Sequence, residues 1–169
     1  MRTLAPAVLL AALAAAGCSK PVDLKQALQV VDPVTGYHDA GVVEGGRNKI
    51  VPTVTFRLKK TTDDSLRPLS INVAFKKLPA AGTAVAPGSP AEEDWDEKFV
   101  QSVPFDGNQT ALLTFQAAAG YTAEPPQTRA DMLKNRYFQD VRVHVFAKHS
   151  ASQWVEIATF DIPRQLVAQ

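Results

Sequence analysis

The stretch from Ile50 to Lys60 reads IVPTVTFRLKK, and its order of residue types decides the fold class. Val54, Phe56 and Leu58 alternate with Thr53, Thr55, Arg57 and Lys59. Successive side chains of a strand point to opposite faces, so this alternation puts the apolar set on a buried face and the polar set on the other. A polar run, TTDDSLRP, follows from Thr61 to Pro68, where Asp63, Asp64 and Ser65 can bond their own backbone and turn the chain. The second run, LSINVAFKKL from Leu69, repeats the pattern with Leu69, Ile71, Val73 and Phe75 inward and Ser70, Asn72 and Lys76 outward. Two such runs joined by a polar turn predict an antiparallel pair.

Toward the C-terminus the same grammar recurs. In EEDWDEKFVQSVPF, Trp95, Phe99 and Val103 are core candidates, Asp106-Gly107-Asn108 turns the chain, and TALLTFQ from Thr110 gives a further strand with Leu113 and Phe115 on one side. Two strands close the chain: Val141, Val143 and Val145 alternate with Arg142, His144 and Phe146, and Val155, Ile157 and Thr159 alternate with Trp154, Ala158 and Phe160. The joint around His149 and Ser150 has hairpin length. Between these runs lie two long connections. Pro79 to Ala91 is too rich in proline and glycine to hold a ladder. Gly120 to Asn135 carries Pro125 and Pro126, then Thr128-Arg129-Ala130-Asp131 in the form of a capped helix start, which predicts a short helix through Lys134.

On the N-terminal side, Pro33, Gly36, Gly41, Gly45 and Gly46 punctuate a passage that reads as loop, with at best a short strand over Ala40 to Glu44. Leu24 to Val31 fits both a helix and an edge strand. Six or seven strands within one domain's length predict an all-β protein, a single antiparallel β-sandwich with one short helix in a long loop. The strand count and spacing from Ile50 to Ile162 resemble immunoglobulin-like or fibronectin-like modules of exported bacterial proteins; a small barrel is the structural alternative.

The first residues carry a different message. Met1-Arg2-Thr3 is a short basic start, Leu4 to Ala16 is continuously apolar, and Ala15-Ala16-Gly17 supplies small residues before Cys18, the sole cysteine. This is the layout of a secretory signal, and thirteen apolar residues fall short of the ~20 needed to span a bilayer. Ending at a cysteine, it resembles the lipobox of bacterial lipoproteins, with Ala15 where leucine is the commoner residue. That resemblance implies a lipid attachment at Cys18, cleavage before it, and, with Ser19 following, an outer-membrane destination in a Gram-negative envelope. The expected organisation is a signal over residues 1–17, a lipidated N-terminus and tether over 18–32, and the sandwich over 33–169.

Composition narrows the function classes. Removing residues 1–17 leaves 152 residues with 17 basic and 17 acidic side chains, and this balance, without a basic block, offers no electrostatic footprint for nucleic acid. No cofactor signature is found: Gly45-Gly46-Arg47 leads into a strand, where a phosphate loop leads into a helix. The histidines are His38, His144 and His149, without a G-x-S-x-G elbow or zinc-ligand spacing, and no catalytic or metal residue is assigned. Glu92, Glu93, Asp94, Asp96 and Glu97 lack the spacing of a calcium loop and read as a solvated acidic face.

What stands out is GYTAEPPQTRADMLKNRYF, which gathers Tyr121, Pro125, Pro126, Met132 and Tyr137 on a connection too long for a turn. These five are the candidate partner-binding residues, weighed against simple capping of one end of the core. The expectation is a non-enzymatic lipoprotein, attached to the membrane by its lipid and displaying loops to a protein partner of the cell envelope. The alternative is a small-molecule, glycan or calcium-binding module with a pocket between the two long connections; an enzyme carries little weight.

Overall fold

The computed structural model describes residues 22–63, 65–80 and 90–168. Cys18 and the signal segment lie outside these residues, as do residues 81–89 of the proline-rich connection. The described chain opens with one helical turn, α1 (Leu24–Ala27), started by Asp23, whose carboxylate accepts from the Lys25 amide. It continues as β1 (Leu28–Val43), β2 (Arg47–Lys60), β3 (Leu69–Lys77), β4 (Glu93–Val100), β5 (Phe105–Asp106), β6 (Gln109–Thr110), β7 (Leu113–Gln116) and β8 (Tyr121–Ala123). Helix α2 (Arg129–Lys134) precedes β9 (Val141–His149) and β10 (Val155–Asp161).

These strands form two antiparallel sheets facing each other across one core. In sheet A, β2 is the spine: it pairs with β1 along one side and with β6, β7 and β8 along the other, with β5 beyond β6. Sheet B has the order β10-β9-β3-β4. The arrangement is a single all-β sandwich of two antiparallel sheets. Neither sheet closes into a barrel. The inward sets read from the alternation hold for β2, β3 and β9: Val54, Phe56, Leu58, Leu69, Ile71, Val73, Phe75, Val143 and Val145 are all fully buried. Phe56 stacks on Phe115 across the β2–β7 pair, with ring centroids 5.6 Å apart.

The expected β2–β3 pair does not form. The two strands belong to different sheets, and residues 61–68 carry the chain from one layer to the other, with Leu66 buried beneath. Alternation states which face of each strand is apolar; it is silent on whether two such faces lie side by side or opposite one another. Here they lie opposite, which buries both against a single core. The pairs that do form are β3 with β4 and β9, and the expected β9–β10 hairpin is present.

The passage read as loop over residues 33–46 is mostly strand, because its proline and one of its glycines sit at interruptions of the β1–β2 ladder. One irregularity falls between Val31 and Val34, around Asp32 and Pro33, and another between Asp39 and Val42, where Gly41 has φ +78°. A proline without an amide hydrogen and a left-handed glycine are tolerated at bulges, where the ladder is already broken. Residues 24–32 therefore belong to the fold and not to a tether reaching residue 32: α1 buries Leu24 and Ala27, and Leu28 begins β1. Both readings of residues 24–31 are realised in turn, helix then strand.

A bulge also corrects β10. The register slips between Glu156 and Ala158, so Ala158 and Phe160 join Val155 and Ile157 against the core and Thr159 faces outward. Phe99, expected in the core, stands 49% exposed on the outer face of β4, whereas Val103 is buried and Trp95 half-buried.

The tail completes sheet A. The Tyr37 amide donates to the Gln165 carbonyl (2.8 Å), and the Val167 amide donates to the Tyr37 carbonyl (3.0 Å), adding a short parallel pairing to the free side of β1. Gly36 makes the approach possible, since a Cβ there would stand 2.5 Å from Val167 Cγ1 and 2.9 Å from the Gln165 oxygen. Among the described residues no helix is long and apolar enough to cross a membrane.

Candidate functional site

Strand directions give the sandwich two distinct ends. Leu28 pairs with Lys60 at the end where α1 enters, and Asp39 pairs with Ile50 toward the other. At about 3.3 Å per residue these two rungs are roughly 35 Å apart. The excursion after Gly120 belongs wholly to the far end. β8 pairs with Asn48 to Ile50, the Asn48 side-chain Nδ2 donates to the Gln127 carbonyl (2.8 Å), and Arg129 Nε donates to Asp39 Oδ1 (2.9 Å). Burial tends to raise the Asp39 carboxyl, but the Gly41 amide and Arg129 overcome it and hold the group below its ordinary range.

Helix α2 starts where the capping sequence places it. The Thr128 hydroxyl accepts from the Asp131 amide (3.2 Å), and the Asp131 carboxylate accepts from the Thr128 amide (3.0 Å), satisfying two amides that a helix start otherwise leaves open. The short helix turns Met132 and Leu133 into the core. Beneath it lies an aromatic cluster: Tyr121 and Phe138 have ring centroids 4.2 Å apart, Tyr37 meets Phe138 edge-on at 5.2 Å, and Trp95 meets Tyr121 at 5.1 Å. The Tyr121 hydroxyl donates to the Gln139 carbonyl (2.8 Å). Arg164 clamps the cluster from outside, donating to both oxygens of Asp140 (2.6 and 3.1 Å) and to the Phe138 carbonyl (3.0 Å), with its guanidinium 5.2 Å from the Phe138 ring centre.

The five candidate residues thus divide. Met132 is core and Tyr121 half-buried structure, so these two cap the sandwich. Tyr137 is 73% exposed, and Pro125 and Pro126, on the other side of α2 in the same connection, are exposed too, so these three are available to a partner. Sequence reading missed Arg136, whose guanidinium lies 4.5 Å from the Tyr137 ring centre and donates to its hydroxyl. An arginine adjacent to an aromatic residue on a long connection was the available signal. A hollow of about 120 Å³ opens below the excursion, lined in part by Gln127, Asn135, Tyr137 and Phe138.

The other chemistry-bearing residues are spread over the molecule. His38 lines a groove of about 580 Å³ on the outer face of sheet A, with Thr53 and Thr55 as floor and Val34, Leu112 and Val167 among its walls. His144, on the outer face of sheet B, sits between two carboxylates, Glu92 at 2.8 Å and Glu156 at 3.3 Å. His149 lies at the opposite end of β9 from the excursion. The acidic run is ion-paired where it meets sheet B: Glu92 reaches Arg142 (3.0 Å), Asp94 reaches Lys76 (3.1 Å) and Asp96 reaches Lys98 (3.0 Å). Among the described residues, no three His, Cys, Asp or Glu side chains are placed to hold a metal ion. No family model matches the chain, and no curated protein or solved structure matches it.

Proposed function

We propose that this chain is an exported lipoprotein, held at the outer membrane through acyl chains on Cys18, that acts as a non-enzymatic binding or assembly module for a protein partner of the envelope. The observation that carries this reading is the placement of its two ends. Val22 already packs on the core, so four residues at most separate the attachment point from the folded domain, a reach of about 14 Å. The excursion bearing Tyr137, Arg136, Pro125 and Pro126 lies at the other end, pointing away from the anchor. Exposed tyrosine and arginine side chains dominate the energetics of many interfaces.

Two experiments test it. Cys18→Ser should shift the protein from the membrane to the soluble fraction or leave its signal uncut, and the N-terminal peptide of the natural protein should carry the mass of its lipids. Unchanged membrane association in Cys18→Ser would refute the anchor. A photo-crosslinking residue at Tyr137 in native envelopes should yield a defined protein adduct that the same probe at Asp106, exposed on β5, does not; equal labelling from both positions would refute the loop-end surface. A ligand-binding role is the second reading, favoured by the groove on sheet A, whose lining is apolar and neutral polar, and it predicts a rise in melting temperature with a glycan or small molecule.

A further inference from the structure

The outer face of sheet B carries apolar surface where the sandwich is nearest its anchor. Phe99 and Trp154 are 49% and 39% exposed and meet edge-on, with ring centroids 5.6 Å apart. Phe146 lies in the same row, since Asn72 pairs with Phe99 on one side and with Phe146 on the other. The Lys148 ammonium stands 5.8 Å from the Trp154 ring centre. Exposed aromatic rings grouped with a cation on a sheet face call for an occupant, unlike a lone exposed leucine.

Chain length identifies that occupant. Trp154 directly precedes β10, and α1 packs against β9 and β10 at the same end, where the Ser150 amide donates to the Pro68 carbonyl and the Thr61 amide to the Ala27 carbonyl. Val22 already packs on the core, so a lipid carried by Cys18 can lie no more than four residues, about 14 Å, from the domain. We propose that Phe99, Trp154 and Phe146, with Lys148 beside them, rest on the lipid interface and orient the sandwich on the membrane; this rests on the anchored reading above. Tryptophan is favoured at this depth because its ring is apolar and its N–H reaches water, and a lysine beside it gains from anionic headgroups.

The test supplies the anchor chemically, so that a failure of natural acylation cannot disguise the result. The chain from Cys18 onward contains every described element, and its single cysteine couples to a maleimide-headgroup lipid in phosphatidylethanolamine–phosphatidylglycerol vesicles. Bromine on the upper acyl chains should roughly halve the Trp154 emission, taken as the difference between the natural chain and Trp154→Phe. Trp95, at the far end of β4 against Tyr121, should remain unquenched in Trp154→Phe. Lys148→Glu should weaken the quenching in anionic vesicles and leave it unchanged in neutral ones. Equal Trp154 emission with and without bromine overturns the proposal while leaving acylation of Cys18 to its own measurement.

Discussion

Replacing Tyr37 by phenylalanine should stabilise this protein, against the usual direction for trimming a core side chain. Tyr37 is fully buried, its ring is held by Phe138 and Tyr121, and among the described residues its hydroxyl has no hydrogen-bond partner. A buried polar group left unpaired costs about 1–3 kcal/mol, whereas the ring contacts survive the substitution. A gain of about 1.5 kcal/mol follows, which for a domain of this size is roughly 3 to 6 °C in melting temperature. The difference should also widen in alkali. Burial above all, helped by Tyr121 and Asp140 and opposed by Arg164, pushes the Tyr37 phenol far above its ordinary value near 10. Below that value both states hold the proton and the shift has no effect on stability. Above it the unfolded chain ionises while the folded one does not, so the natural protein loses stability as pH rises and Tyr37→Phe loses less. Tyr121, pushed up to about 12 mainly by burial, keeps part of the slope in both proteins. Urea unfolding at about pH 7, 9 and 11 measures all of this. A destabilised variant with no widening would show that the hydroxyl has a partner and that the reasoning is wrong.

Gly120→Ala should destabilise by about 1–3 kcal/mol in the same unfolding assay, because the added Cβ would fall against the Ile50 carbonyl oxygen and 2.7 Å from Val51 Cγ1. Thr128→Ala should cost about 1 kcal/mol and speed amide exchange through α2, since the cap bonding the Asp131 amide is lost. In acid the loss should begin near the ordinary carboxylate range, about pH 4, and continue below it. The Arg142 guanidinium holds Asp161 down by hydrogen bonding, and the Thr159 hydroxyl does so for Glu156, with His144 adding to it. Such depressed carboxylates support the fold above their unfolded values and cease to do so as pH falls through the folded ones. Arg142→Gln should flatten that acid limb, as read by thermal melts at about pH 2 to 6.

The sequence states faces well and partners poorly. Phe56, Phe75 and Val145 announce themselves as core because period-two alternation is a local property. The partnership of β3 with β9 joins runs some seventy residues apart, and nothing local distinguishes it from a hairpin with β2. Pro33 and Gly41 misled for a related reason: a residue that ends a strand and a residue that bulges one look the same in one dimension. The slip after Glu156 is of the same kind, invisible until the opposing strand fixes the count. At the candidate site, the capping residues Thr128 and Asp131 were legible because their bonds are made within one turn. Which of Tyr121, Met132 and Tyr137 would be swallowed by the core depended on the aromatic cluster around Tyr37, a residue from the opposite end of the sequence.

The short pairing of the tail with β1 sets a clock on how the protein is made. Gln165 and Thr35, joined across that edge, are 130 residues apart in the chain. Until the intervening residues have been delivered and folded, the outer rim of β1 is without its cover. During that interval the rim offers unpaired amides and carbonyls to any other extended chain, including the same stretch of a sister molecule. Truncation before Gln165 would make that interval permanent, and the shortened protein should be lost to aggregates even though its core residues are all in place.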